Sequence, residues 1–172
     1  MPSRTDTFEL ERLGLRPGEG RRFDLHAAAD DLRYGGQRYT VSPSPIPVIL
    51  DVSRTTHNGY ALRLRFTAEI EGPCMRCLEN ATPHFEVDSR EVSVPGGGDE
   101  LQSPYVDDAS DLDLRAWVRD ALALAVPDQI TCRPECAGLC AVCGENLNDN
   151  PEHAHEREPD LRWAALRDLK FD

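Results

Sequence analysis

Tyr60-Ala61-Leu62-Arg63-Leu64-Arg65-Phe66-Thr67-Ala68-Glu69-Ile70-Glu71 sets Tyr, Leu, Leu, Phe, Ala and Ile at every second place, with polar side chains between them from Arg63 on. Successive side chains of a strand point to opposite faces, so this period of two predicts a strand with one buried and one wet face. A sheet covered on one side only is an antiparallel one. Asn58-Gly59, just upstream, is a hairpin-turn dipeptide. It links the alternating stretch back to Pro47-Val-Ile-Leu-Asp-Val52, a segment of strand composition, with a further short strand expected at Tyr39-Thr-Val41. Pro43, Pro45 and Pro47 mark a sheet edge or a strand start. Downstream, Thr82 to Val94 carries Phe85, Val87, Val92 and Val94 and reads as a third major strand.

Past this sheet the pattern changes. Pro95-Gly-Gly-Gly98 with Asp99-Glu100 opens a Gly-rich acidic loop over 95–110, and no phosphate-binding Lys-Ser/Thr follows it. Leu114, Trp117, Val118, Ala121, Leu122, Ala125 and Val126 then recur at spacings of three and four, predicting a long helix near 111–126 that Pro127 stops. Ser110 and Asp113 have the spacing of a capping box. A short C-terminal helix is expected from Asp160 to Leu169. The expectation is an α+β fold in one domain over 1–172, with the sheet in the N-terminal half and a Cys/His-rich segment at 132–155.

The chain of 172 residues has 31 acidic against 19 basic side chains, a formal charge of -12. Residues 1–40 balance seven acidic against seven basic groups, whereas 99–172 hold seventeen against seven. Duplex affinity rests on cations meeting phosphates, so a chain this acidic is expected to be a poor general nucleic-acid binder. Any phosphate contact should be local, with Arg12, Arg16, Arg21, Arg22, Arg33 and Arg38 the candidates, or indirect through a basic protein partner. No apolar run is long enough for a membrane span, and Met1 to Asp6 lack the apolar core of a secretory signal, so the expected compartment is the cytoplasm.

The six cysteines form two groups. Cys74-Met-Arg-Cys77 follows the alternating strand, and Cys132, Cys136, Cys140 and Cys143 follow the helix, with Cys140-Ala-Val-Cys143-Gly144 a zinc-knuckle pattern. Two residues between thiolates let one turn aim both sulfurs at one ion, and soft thiolates in a tetrahedral set favour zinc. His153-Ala-His155 completes eight ligands, enough for two four-coordinate sites. Two groupings are open. Cys132, Cys136, Cys140 and Cys143 would make one local site, or Cys74 and Cys77 would join Cys132 and Cys136 while Cys140 and Cys143 join His153 and His155. Arg76 between its two cysteines would favour a thiolate, so a thiol redox protein or zinc-release sensor is the competing reading. No nucleophile elbow, metalloprotease motif or dinucleotide fingerprint is present, and the expectation is a protein that is not an enzyme.

In motif order the chain resembles the YceD family, the large ribosomal RNA subunit accumulation proteins. The resemblance is carried by Cys74-Met-Arg-Cys77-Leu78-Glu79, by Asp113-Leu114 and Leu122 to Pro127 around the helix, by Gly138-Leu139-Cys140-Ala-Val-Cys143-Gly144-Glu-Asn146-Leu147-Asn148, and by Arg162-Trp163-Ala-Ala-Leu166. It covers nearly the whole chain, weakly before residue 60. The resemblance implies a bacterial cytoplasmic α+β protein, noncatalytic, that supports accumulation of 23S rRNA during large-subunit assembly. Its partners would be 23S rRNA or a pre-large-subunit particle, directly or through a ribosomal protein, including the zinc-ribbon ribosomal protein whose gene commonly neighbours the family's. The family's cysteine-rich branch often carries Cys-x-Cys where His153-x-His155 stands here, an exchange that keeps ligand capacity. The metal it implies is structural.

Overall fold

The computed structural model describes residues 5–155. Its strands are β1 (Thr7–Glu9), β2 (Gly20–Ala27), β3 (Leu32–Tyr34), β4 (Gln37–Ser42), β5 (Ile46–Arg54), β6 (Tyr60–Pro73), β7 (Asn80–Ala81), β8 (His84–Ser93) and β9 (Asp111–Asp113), followed by one helix, α1 (Leu114–Ala125). The α+β build expected from the sequence is the one found. The expected helix from Asp160 to Leu169 lies outside the described residues.

β6 is the axis of the molecule. Tyr60, Leu62, Leu64, Phe66, Ala68 and Ile70 are all buried, as the alternation requires. The strand outruns its first partner on each edge. β5 pairs with it from Tyr60 to Phe66, and β4 takes over that edge at Glu69–Glu71. On the other edge β8 pairs from Tyr60 to Glu69, and β7 takes over at Gly72 and Pro73. All these pairings are antiparallel, and β2 extends the sheet beyond β5. The β5–β6 turn closes with Thr55 N–H donating to Gly59 O (2.9 Å) and with Asn58 in the left-handed region. Gly59 is required there, because a Cβ would come within 2.5 Å of Ser93 O.

The polar face of the sheet is held by arginine–aspartate pairs. Asp51 accepts from Arg22 Nε (2.7 Å) and Arg65 Nη2 (2.8 Å), and Asp88 accepts from Arg63. The apolar face is covered by α1 through Leu114, Trp117, Val118, Ala121 and Leu122, all buried. Trp117 stacks on Tyr105 and donates its indole N–H to Ser89 Oγ (2.9 Å). Ala125, expected on that stripe, is exposed, while Val126 is buried.

Two local expectations change. The helix begins later than 111, because Asp111–Asp113 pairs with β1 as a strand. Its N-cap is therefore Asp113, whose carboxylate accepts from Ala116 N–H (2.9 Å), and Ser110 caps nothing. The Gly-rich loop is folded back on itself: Val94 N–H donates to Leu101 O (2.7 Å), Gln102 donates to Gly97 O (3.1 Å), and Ser103 is buried.

Candidate metal centres

Where β6 ends, Cys74 to Cys77 turn back into β7. Leu78 N–H donates to Cys74 O (3.0 Å), Cys74 N–H to Glu79 O (2.7 Å), and Arg76 N–H to Cys74 Sγ (3.4 Å). The turn at 140–145 repeats this set bond for bond. Gly144 N–H donates to Cys140 O (2.9 Å), Cys140 N–H to Glu145 O (2.8 Å), and Val142 N–H to Cys140 Sγ (3.5 Å). Both turns end on a left-handed residue, Leu78 (φ 64) in the first and Gly144 (φ 79) in the second. The two Cys-x-x-Cys segments are thus copies of one knuckle that aims two sulfurs to the same side.

The segment after α1 brings the remaining cysteines of the first centre. Ile130 is buried, its carbonyl accepts from Met75 N–H (2.8 Å), and its own amide donates to Met75 Sδ (3.4 Å). This clamp lays Cys132 beside Cys77, with sulfurs 3.6 Å apart, and Cys136 beside Cys74, at 3.8 Å. The second centre gathers Cys140, Cys143, His153 and His155. Cys143 Sγ lies 3.1 Å from His153 Nε2 and 3.2 Å from His155 Nε2, and the two Nε2 atoms are 2.9 Å apart. Within each quartet all ligand atoms lie within 4.8 Å of one another. The eight residues singled out in the sequence therefore meet as two quartets spanning distant segments, and the purely local grouping of Cys132, Cys136, Cys140 and Cys143 is not the one formed.

The donor sets fit a tetrahedral ion. Zn–S bonds near 2.3 Å imply sulfur–sulfur edges of about 3.8 Å, which the Cys77–Cys132 and Cys74–Cys136 contacts at 3.6 and 3.8 Å match. A disulfide would need sulfurs near ~2.05 Å, and all six cysteines are free. Burial separates the centres: Cys74, Cys77 and Cys136 are 0%, 4% and 1% exposed, whereas Cys143 and His155 face solvent. Burial pushes the Cys74 thiol up, but the amides of Cys77, Arg76 and Cys132 outweigh it and bring it down to about 6. Cys140 is also brought down to about 6, by the Val142 and Cys143 amides. Cys77 is pushed up to about 12, chiefly by burial. Arg76 thus favours the thiolate through its backbone N–H, while its side chain is exposed.

Residues outside the ligand set hold the two centres together. Asn148 Nδ2 donates to Cys136 Sγ (3.6 Å), and Asn148 Oδ1 accepts from Ala137 N–H (2.8 Å). Asn146 Nδ2 donates to Glu79 Oε1 (2.9 Å). Gly138, at φ 82, lets the chain run against the first knuckle, where Leu139 N–H donates to Arg76 O (3.1 Å). The Asn-Leu-Asn run was visible as part of a resemblance, but its contacts cross from one centre to the other and leave no trace in spacing.

Comparison with known proteins gives a consistent picture. A family model described as "Large ribosomal RNA subunit accumulation protein YceD" matches residues 62–170. An uncharacterized protein of Mycobacterium tuberculosis is 29% identical over 170 residues, covering 95% of this chain and 80% of its own length. One from Mycobacterium leprae is 28% identical, covering 94% and 76%. A protein of Zea mays named "Large ribosomal RNA subunit accumulation protein YCED homolog 1, chloroplastic" is 28% identical, covering 81% of this chain and 59% of its own. No solved structure matches.

Proposed function

The chain belongs to the YceD family of large ribosomal RNA subunit accumulation proteins, and from that premise we propose that it is a noncatalytic factor supporting 23S rRNA accumulation and large-subunit assembly, built around two structural zinc ions. The observation that carries the zinc reading is the convergence of four protein ligands at each centre. Four protein ligands close a tetrahedral ion and leave no position for substrate, which is the pattern of structural rather than catalytic zinc. Cys74, Cys77, Cys132 and Cys136 would hold one ion, and Cys140, Cys143, His153 and His155 the other. Zinc would lock the end of β6 to the segment after α1, presenting the surface that meets the ribosomal precursor.

The charge pattern narrows how RNA is met. Of the N-terminal arginines, Arg12, Arg22 and Arg38 are engaged by Glu9, Asp51 and Asp31. Arg16, Arg21 and Arg33 are exposed and form no ion pair among the described residues, and the same holds for Arg76 and Arg133 on the two cysteine loops of the first centre. They are the arginines best placed for a local phosphate contact, the alternative route being a basic ribosomal protein. Among the described residues no helix is long and apolar enough to cross a membrane.

The test is cellular and biochemical. In cells deprived of the protein, 23S rRNA should fall relative to 16S rRNA. Wild-type chain should restore it, and a Cys74→Ser/Cys77→Ser chain should not. In vitro, the zinc-loaded chain is titrated against 23S fragments and precursor particles at several salt concentrations. Loss of affinity for naked RNA in Arg76→Ala/Arg133→Ala supports direct contact, binding to particles alone supports the protein route, and unaltered 23S rRNA in the depleted cells sinks the assembly role.

A further inference from the structure

The two metal centres are not independent in space. The only segment between the ligand pairs of the exposed centre is 144–152, and its Asn146 and Asn148 reach back to the buried one. Asn148 spends its whole side-chain amide on this link. One Nδ2 hydrogen goes to Cys136 Sγ (3.6 Å), the other to Asn146 Oδ1 (2.8 Å), and Oδ1 accepts from Ala137 N–H (2.8 Å). Asn146 Oδ1 also accepts from Asn148 N–H (3.1 Å), while its amide nitrogen holds Glu79 beside Cys77. Main-chain bonds run in parallel, from Leu139 N–H to Arg76 O (3.1 Å) and from Leu147 N–H to Gly138 O (2.9 Å).

Taking both quartets as zinc sites, as proposed above, we infer that residues 144–148 couple them: Asn148 is a positioning residue of the four-cysteine centre, and zinc in the exposed centre slows release of zinc from the buried one. Two physical effects act together. An ion bound by four thiolates carries excess negative charge, which N–H donors to sulfur relieve, and Asn148 is such a donor. Cys143 and His153 flank the segment that carries Asn148, so an ion binding both closes a short loop and removes the conformational freedom that would let Asn148 leave. Coupling is reciprocal, so the buried zinc strengthens the exposed one equally.

Full-length chain loaded with zinc is challenged with a chromophoric chelator, and release is followed with time. Wild type should release one zinc quickly, from the exposed centre, and one slowly. The His153→Ala/His155→Ala chain should start with one zinc and lose it roughly 10-fold or more faster than the wild-type slow phase, the size expected of a lost outer-shell contact. Asn148→Ala keeps every ligand. It should hold two zincs with an accelerated slow phase, while Asn150→Ala, whose side chain makes no hydrogen bond to either centre, should match wild type. With cobalt in the buried centre, Asn148→Ala should move the sulfur-to-metal charge-transfer band to lower energy, a shift that general loosening of the fold does not produce. A slow phase unchanged in both His153→Ala/His155→Ala and Asn148→Ala overturns the coupling while leaving two zinc sites standing. A wild-type chain that retains no zinc overturns the zinc reading itself, and the coupling with it.

Discussion

Leu78 shows how one knuckle differs from its copy. It occupies the left-handed position (φ 64) that Gly144 fills in the second turn, and its side chain is 64% exposed. A side chain there crowds its own backbone, while little apolar contact is gained in exchange. Leu78→Gly is therefore expected to raise stability by up to about 1 kcal/mol, read as a higher denaturant midpoint with unchanged slope. A second residue-scale expectation concerns acid. The Arg22 side chain beside Asp51, with Arg65 behind it, holds the Asp51 carboxyl below the usual range. A depressed carboxyl stabilises fully above its unfolded value near ~3.9 and loses that contribution as pH falls through the lower folded value. Wild type should thus lose melting temperature more steeply than Asp51→Asn below about pH 4, and identical acid limbs would remove Asp51 from the account. The difference should stay under about 1 kcal/mol, because Arg22 is mostly solvated.

At the scale of elements, α1 is where local signals and pairing compete. Ser110 and Asp113 have cap spacing, but residues 111–113 are drawn into β9 by pairing with β1, so the Ala116 amide in the first turn finds Asp113 instead. Asp113→Ala should cost about 1 kcal/mol in thermal or chemical unfolding, and Ser110→Ala should fall within roughly 0.5 kcal/mol of wild type. Equal losses would return the cap to Ser110. The long strand β6, the turn before it and the apolar stripe of α1 were legible because their periodicities are intrinsic to strand and helix. β2 is not legible in the sequence, although Phe23, Leu25 and Ala27 alternate with Asp24 and His26, because Gly20-Arg21-Arg22 at its start carry no apolar side chain and cut the alternation to five residues. The short β1, β7 and β9 hold no periodicity at all and exist only through their partners.

For the whole molecule, the sheet and α1 form a core of apolar side chains that continues from β2 to β8 and reaches Cys74, Cys77 and Cys136 at its end, whereas the chain beyond Cys136 is held mainly by turns and the two quartets. With zinc in both quartets, as proposed, stripping it by chelation should leave the β-sheet signal in circular dichroism and the amide protection of β5 and β6. Amides of 136–153 should exchange rapidly, and cooperative loss of both regions together would contradict this division. What the chain declares by itself is local: alternation in β6, the helical stripe, and two knuckles with their ligand inventory. Each depends on neighbours within a turn or two of chain, where spacing translates directly into direction. Which sulfur meets which was decided only in three dimensions. Ile130 docking on Met75 and the extra length of β6 bring Cys132 and Cys136 to Cys74 and Cys77, and Asn146 and Asn148 tie one centre to the other. Contacts between segments so far apart arise from packing, and no local periodicity encodes them.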